Sequence, residues 1–242
     1  MRERSFEPSA LIVGAQKAGT TAMMQNLCRH SRIHGSRTEH NFFTANWSKG
    51  AEWYSNKLAK TFYEARMLQD GDVLLEKSPS YLASPEAAQR ISEFRPDMKI
   101  IICLRNPTER AYSRYNDIMV DEPGRLNKSF LELVRSGVKI PNHFIKNGMY
   151  KPQVARYFDL FGRENVKVVI QERWKRLPFE TIADVAEFLG FSDMPEFEVQ
   201  SVHSNSYASG IDPEAADLLN DFYKEWNEDL FALLGEPIPE WG

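Results

Sequence analysis

The sequence has only two cysteines and no long apolar run, and both shortages restrict the class of protein it can encode. Cys28 falls in a predicted helix and Cys103 in a predicted apolar strand, which favours buried thiols in a reducing compartment over a disulfide framework. No apolar segment is long enough to span a bilayer. The first predicted strand starts within about ten residues of Met1, which leaves no room for a signal peptide. We expect a soluble, cytoplasmic protein unless a leader was removed.

The sequence also lacks a strong charge of either sign, a linker and a metal-binding motif. Its net charge of −4 argues against a general nucleic-acid binder, so any anion pocket must use local basic residues. None of the five histidines stands in an HExxH or Cys/His ligand spacing, which predicts a site without metal. No Pro/Gly/Ser-rich stretch or charge block divides the 242 residues, so we expect one domain over residues 1–242.

A loop framed by glycines follows the first predicted strand, in the segment LIVGAQKAGTT at residues 11–21. Gly14 and Gly19 allow a sharp turn and a close approach to a ligand, and the next helix offers unpaired N–H donors to an anion. The glycine spacing is that of a nucleotide P-loop, but Thr20 stands where that loop has lysine, and the lysine is at position 17. A turn without a ligand is the alternative interpretation. The combination of Lys17, Thr20 and Thr21 favours an anhydride other than ATP or GTP.

Two further strand ends carry residues suited to anions. The predicted strand 73–76 runs into Lys77, and the apolar strand 99–104 runs into Arg105. Asn106 is a predicted helix cap, and Ser113 lies one to two turns into the helix that follows. The carboxyl ends of parallel strands share one sheet edge, so these groups suit a ligand with two phosphates, such as a 3′-phosphorylated nucleotide. An ordinary surface ion pair is the alternative for Arg105.

Strands and helices alternate along the chain. Helices are predicted over residues 20–30, 85–94, 108–120, 150–161, 178–189 and 213–234, and a short one near 130–134. Residues 191–209 lack periodicity and are expected to form a surface loop near the site, or a lid. The alternation predicts an α/β fold: a single P-loop-like domain with a central parallel sheet flanked by helices on both faces.

Five short motifs occur in order along the chain. They are GAQKAGTT (14–21), EHNFF (39–43), EKSPSYL (76–82), LRNPTERAYSRY (104–115) and GMY (148–150). Their joint order and spacing resemble the sulfotransferases that use 3′-phosphoadenosine 5′-phosphosulfate, especially the heparan sulfate type and its bacterial relatives. The resemblance covers nearly the whole chain. It implies transfer of a sulfuryl group to a hydroxyl or amine of a carbohydrate or small natural product, without a metal.

The resemblance also implies roles for individual residues. The loop would hold the 5′-phosphosulfate, and Arg105 and Ser113 would hold the 3′-phosphate of the donor and of the product 3′-phosphoadenosine 5′-phosphate. Lys17 and Lys77 would stand near the bridging oxygen, and Glu39 would act as general base, with His40 as its rival. The whole predicted donor site consists of Gly14, Gln16, Lys17, Ala18, Gly19, Thr20, Thr21, Arg105, Ser113, Asn205 and Ser206.

Two segments depart from the heparan sulfate pattern. Asn41 stands where some of those enzymes have histidine and others glutamine, so Asn41 and His40 are candidates for contact with the acceptor. The segment HSNSYASG (203–210) replaces a lysine–glycine segment between cysteines, and there Asn205 and Ser206 are candidates for covering the nucleotide. The acceptor pocket is expected from residues 40–60 and 120–147. Two other functions stay open: a Mg²⁺-dependent nucleotide kinase or NTPase, and a non-catalytic nucleotide-binding module.

Overall fold

A five-stranded parallel sheet is the centre of the fold. The computed structural model describes residues 6–36, 38–61, 68–199 and 210–241. The strands are β1 (Ala10–Gly14), β2 (Ile33–Gly35), β3 (Val73–Lys77), β4 (Lys99–Leu104) and β5 (Val166–Ile170). Their order across the sheet is β2-β3-β1-β4-β5, and each neighbouring pair is parallel.

Helices cover both faces of this sheet. Every residue of β1 and β3 is buried, and since successive side chains point to opposite faces, neither face is open to solvent. The helices are α1 (Thr20–Leu27), α2 (Gly50–Thr61), α3 (Pro85–Phe94), α4 (Pro107–Asp121), α5 (Phe130–Gly137), α6 (His143–Lys146), α7 (Tyr150–Phe161), α8 (Gln171–Arg176), α9 (Pro178–Phe188) and α10 (Pro213–Leu234). The predicted fold class is confirmed. No helix in the described ranges is both long and apolar enough to cross a membrane.

Local capping signals mark several helix starts. The Ser84 side chain accepts a hydrogen bond from the Ala87 N–H, and Asn106 accepts from the N–H groups of Thr108 and Glu109, with proline at the first helical position in both cases. Asp212 caps α10 in the same way. These starts were predicted because the capping residue and proline act within a few residues of each other.

Some predicted boundaries were wrong. The predicted helix 20–30 ends at Leu27, because the N–H groups of Arg29 and His30 bond three residues back and tighten the chain into a turn. Cys28 therefore lies just past the helix and is only half-buried, whereas Cys103 is buried as expected. The short helix near 130–134 extends to Gly137, and α6 and α8 were not predicted because they are too short to show periodicity.

The order of the strands creates a crevice between β1 and β4. After β1 the chain builds β2 and β3 on one side of β1, and it then crosses to build β4 and β5 on the other side. The loops that follow β1 and β4 therefore diverge from neighbouring strand ends. In open α/β sheets a ligand binds at this switch point.

Close packing explains why a glycine stands at position 14, where β1 runs into its loop. A Cβ at this position would lie 2.5 Å from the Leu82 Cβ and 3.1 Å from the Pro79 carbonyl oxygen. The turn after β3 is held there by hydrogen bonds from the Ser78 N–H to the Ile12 carbonyl and from the Leu82 N–H to the Val13 carbonyl. Gly14 is therefore needed for the approach of this turn, which the sequence analysis had not identified.

Candidate active site

The loop after β1 presents an open helix start at the crevice. Gly19 is the N-cap of α1 with φ 83°, and no side chain from the described residues caps the helix. The N–H groups of the first turn, including those of Thr20 and Thr21, have no acceptor within the helix. Together with the positive end of the helix dipole, they form a site for an anion.

Lys17 joins this loop to α4. Its backbone has φ 68°, and its ammonium Nζ lies 2.6 Å from an oxygen of the Asp117 carboxylate. The second Asp117 oxygen accepts from the Arg114 guanidinium at 2.7 Å. Asp117 lies four residues after Ser113 and so shares its helix face. Asp117 was not among the predicted site residues. Its spacing from Ser113 indicates that it shares a helix face with Ser113, but its contact with Lys17 depends on how α4 packs over the loop.

Arg105 is fixed at the end of β4, across the crevice from the loop. Its carbonyl oxygen accepts from the Tyr150 hydroxyl at 2.9 Å, which gives the tyrosine of the GMY motif a structural role. Its guanidinium contacts the Lys17 carbonyl at 3.5 Å and donates to the exposed Glu109 at 3.0 Å. The structure therefore brings Arg105, the glycine loop and α4, which carries the buried Ser113, to one place.

Lys77 lies between the glycine loop and Glu39. Its ammonium donates to the Thr21 hydroxyl at 3.1 Å and also contacts the Glu39 carboxylate. The Lys77 side chain is 7% exposed, whereas that of Glu39 is 45% exposed. The cation is thus on the inside, and the carboxylate faces the open side of the site. Thr21 and Glu39 are 56 and 38 positions from Lys77 in the sequence, and the fold brings both side chains to its ammonium group.

The side chains of His40 and Asn41 bond to groups other than Lys77. The buried His40 ring has its Nε2 atom 3.0 Å from the Ser36 hydroxyl, and burial lowers its pKa with a further contribution from the charge of Lys57. The side-chain oxygen of Asn41 accepts from the Ser80 hydroxyl at 2.7 Å. Among Glu39, His40 and Asn41, Glu39 is the residue whose side chain contacts the Lys77 ammonium.

A groove of about 410 Å³ opens beside Glu39. Its lining includes His40, Trp53, Lys57 and Lys60. The ammonium groups of Lys49 and Lys57 lie 4.6 and 5.6 Å from the centre of the Trp53 ring. The groove therefore combines an aromatic surface with positive charge.

Comparison with known proteins assigns the family. The sequence model described as "Sulfotransferase domain" matches residues 7–223. The chain belongs to the sulfotransferase family. The match spans β1 to β5 and the first half of α10, and it includes all the contacts of Lys17, Lys77 and Arg105 given above.

Relatives within the sulfotransferase family agree with this assignment. The human heparan sulfate glucosamine 3-O-sulfotransferase 6 is 32% identical over 76% of this chain and 52% of its own length. The mouse bifunctional heparan sulfate N-deacetylase/N-sulfotransferase 4 is 27% identical over 99% of this chain and 32% of its own length. This chain thus spans about a third to a half of these relatives. A solved sulfotransferase from Alicyclobacillus acidocaldarius has a TM-score of 0.78 and 28% identity, covering 98% of this chain and 99% of that one.

Membership of the sulfotransferase family implies the donor 3′-phosphoadenosine 5′-phosphosulfate. The residues of the crevice are suited to bind its two phosphate groups. An uncapped helix start suits one phosphate group, and Arg105 with the hydroxyl-bearing face of α4 suits a second. Asn205 and Ser206 lie outside the described residues, so their predicted contact with the nucleotide stays a prediction. Within the described ranges, no group of three or more His, Cys, Asp or Glu side chains is arranged to hold a metal ion.

Proposed function

We propose that this sulfotransferase moves a sulfuryl group from 3′-phosphoadenosine 5′-phosphosulfate to a hydroxyl or amine, with Glu39 as general base. The observation that carries this proposal is the placement of the Lys77 ammonium between the Thr21 hydroxyl of the glycine loop and the Glu39 carboxylate. One cation thereby connects the anion site with a carboxylate that is open to an acceptor.

The chain's own groups suit each part of the reaction. The donor supplies an activated sulfuryl group whose departure leaves negative charge on the bridging oxygen. The first-turn N–H groups of α1 would bind the 5′-phosphate, while Lys17 and Lys77 would stabilise that charge. For Lys17 this requires that its ammonium leave Asp117, which now lies 2.6 Å away. Arg105 and Ser113 would bind the 3′-phosphate.

Glu39 is suited to the base because its carboxylate is next to Lys77 and partly exposed. It would take the proton from the acceptor hydroxyl or amine as that atom attacks sulfur. Its neighbour His40 is directed to Ser36 instead. Glu39 and His40 are adjacent in the sequence, but their side chains have different partners, and Glu39 is the one next to Lys77.

We place the acceptor in the groove beside Glu39. The positive charge of Lys57 and Lys60 and the Trp53 ring suit an acceptor with an anionic group and an apolar face. A carbohydrate fits this surface, and the heparan sulfate relatives support that choice. A small natural product that carries a carboxylate or sulfate would meet the same requirement.

The positive charge of Lys57 and Lys60 in the groove predicts tighter binding of anionic acceptors. Replacing both lysines (Lys57→Gln with Lys60→Gln) should raise KM for an anionic acceptor roughly threefold to tenfold, because each contact is partly exposed and weak. The kcat should change little. Steady-state kinetics with an anionic and a neutral acceptor measure this effect, and Lys224→Gln on the exposed side of α10 is the matched control. Equal increases for both acceptors would show that charge in the groove does not select the substrate.

The function itself is tested with the purified protein, labelled donor and a panel of hydroxyl and amine acceptors. We expect acceptor-dependent formation of 3′-phosphoadenosine 5′-phosphate over many turnovers, in the presence of EDTA as well as without it. Tight Mg²⁺-dependent binding of ATP, with no affinity for 3′-phosphoadenosine 5′-phosphate, would instead indicate a kinase or NTPase. Binding of 3′-phosphoadenosine 5′-phosphate without turnover of any acceptor would favour a nucleotide-binding module.

A further inference from the structure

Glu76 is a buried acidic residue that has no role in the proposed reaction. It precedes Lys77 on β3, and since neighbouring side chains of a strand point to opposite faces, it lies on the other face of the sheet. Its side chain is 0% exposed. Burial raises the pKa of Glu76 to about 7, although hydrogen bonds from Ser78, Tyr54 and other groups oppose this effect. A carboxyl group in such a position is costly unless it is well bonded.

The bonds of Glu76 lead to the segment that follows Glu39. One carboxylate oxygen accepts from the Ser78 hydroxyl at 2.5 Å, and the other accepts from the Tyr54 hydroxyl at 3.3 Å. The backbone N–H of His40 acts on the same carboxyl and helps to lower its pKa. Glu76 therefore connects β3, α2 and the segment that carries Glu39.

Two consecutive backbone N–H groups of this segment bond to the same cluster. The Asn41 N–H donates to the Ser78 hydroxyl at 3.0 Å, and the Phe42 N–H donates to the Tyr81 hydroxyl at 2.8 Å. Asn41 has φ 48°, a left-handed conformation that lets successive N–H groups converge. The Ser78 hydroxyl accepts from Asn41 while it donates to Glu76, so the two bonds support each other.

We propose that Glu76 is a positioning residue for Glu39. Its carboxylate anchors the backbone at Asn41 through Ser78, and thereby fixes where the Glu39 carboxylate meets Lys77. Lys77 follows Glu76 directly on β3, so both members of the Glu39–Lys77 pair are placed from one point of the strand. The inference rests on the proposed function, because it assigns a role to Glu39 as base.

Replacement of Glu76 by glutamine would disturb the hydrogen bonds of this cluster. A glutamine has the same shape, but its amide nitrogen donates and would face hydroxyl groups that now donate to the carboxylate. The hydroxyl that faces the amide nitrogen, that of Ser78 or of Tyr54, would have to turn so that its oxygen accepts, and the arrangement of the cluster would change. A misplacement of about 1 Å at a reacting group can lower a rate about a hundredfold.

The test is Glu76→Gln in the full chain. We expect kcat to fall at least tenfold, with unchanged Kd for 3′-phosphoadenosine 5′-phosphate, because the glycine loop and Arg105 are not altered. Hydrogen-exchange mass spectrometry should show faster exchange in a peptide that covers residues 38–44. In a Glu39→Gln background, Glu76→Gln should lower kcat by less than twofold more, because the residue acts through Glu39.

The control is Val185→Ala, a buried truncation on α9 that should lower stability without changing exchange in the 38–44 peptide. If Glu76→Gln does not fold, Ser78→Ala tests the same connection and should give the same kinetic and exchange effects. Independent, multiplying losses of kcat for Glu39→Gln and Glu76→Gln would overturn the proposal, as would unchanged exchange at residues 38–44. Failure of the proposed function would look different, since the wild-type chain would then lack turnover or Glu39→Gln would leave it intact.

Discussion

Replacing Glu39 with glutamine is expected to lower kcat by about 10²- to 10⁴-fold, the range for loss of a general base. Glutamine keeps the size of the side chain but cannot take the proton of the acceptor. The Kd for 3′-phosphoadenosine 5′-phosphate should stay within about threefold, since the anion site uses other groups. Single-turnover assays with labelled donor measure the chemical step, and thermal shift with the nucleotide measures binding.

The matched comparison is His40→Gln, which retains a hydrogen-bonding group toward Ser36. We expect a much smaller loss of kcat for this variant, because the His40 ring is buried and bonded to Ser36. A loss at His40 that equals or exceeds the loss at Glu39 would assign the base to the histidine. Full activity of Glu39→Gln would contradict the proposed mechanism.

Replacing Arg105 with alanine is expected to weaken binding of 3′-phosphoadenosine 5′-phosphate about ten- to a hundredfold. A hydrogen bond to a charged group contributes about 1.5–3 kcal/mol, and each 1.4 kcal/mol is tenfold in affinity. Binding of adenosine 5′-phosphate should change much less, because it lacks the 3′-phosphate. Isothermal titration of both nucleotides with the wild-type chain and the variant gives the comparison.

Glu109→Gln is the control for Arg105→Ala. It removes the carboxylate that now accepts from the Arg105 guanidinium at 3.0 Å, while the arginine itself is retained. We expect this variant to bind 3′-phosphoadenosine 5′-phosphate as well as the wild type or better. If Arg105→Ala weakens both nucleotides equally, the 3′-phosphate must be bound elsewhere.

Local signals explain which parts of the fold could be predicted. The apolar run of β4, the Asn106 cap and the proline that follows it act within a few residues, so their positions were correct. The short helices α6 and α8 and the early end of α1 were not predicted, because too few residues carry a periodic signal there. The need for Gly14 was also hidden, since it arises from contact with Leu82, far along the chain.

The candidate site, too, contains features that the sequence predicted and features that it did not. Residue types at the ends of β1, β3 and β4 predicted an anion site with Lys17, Lys77 and Arg105, and the parallel topology explains why these strand ends meet. The partnership of Lys17 with Asp117 was not predicted, because it joins residues 100 positions apart whose contact depends on how α4 lies over the loop. Pairings of this kind are decided by packing and not by spacing.

The sequence by itself determined the family, the α/β class and the motifs that carry the chemistry, because these depend on residue types and local order. Only the tertiary structure decided that Glu39 faces Lys77 while its neighbour His40 faces Ser36. The physical reason is the left-handed turn at Asn41 and the hydrogen bonds of the Asn41 and Phe42 N–H groups to Ser78 and Tyr81.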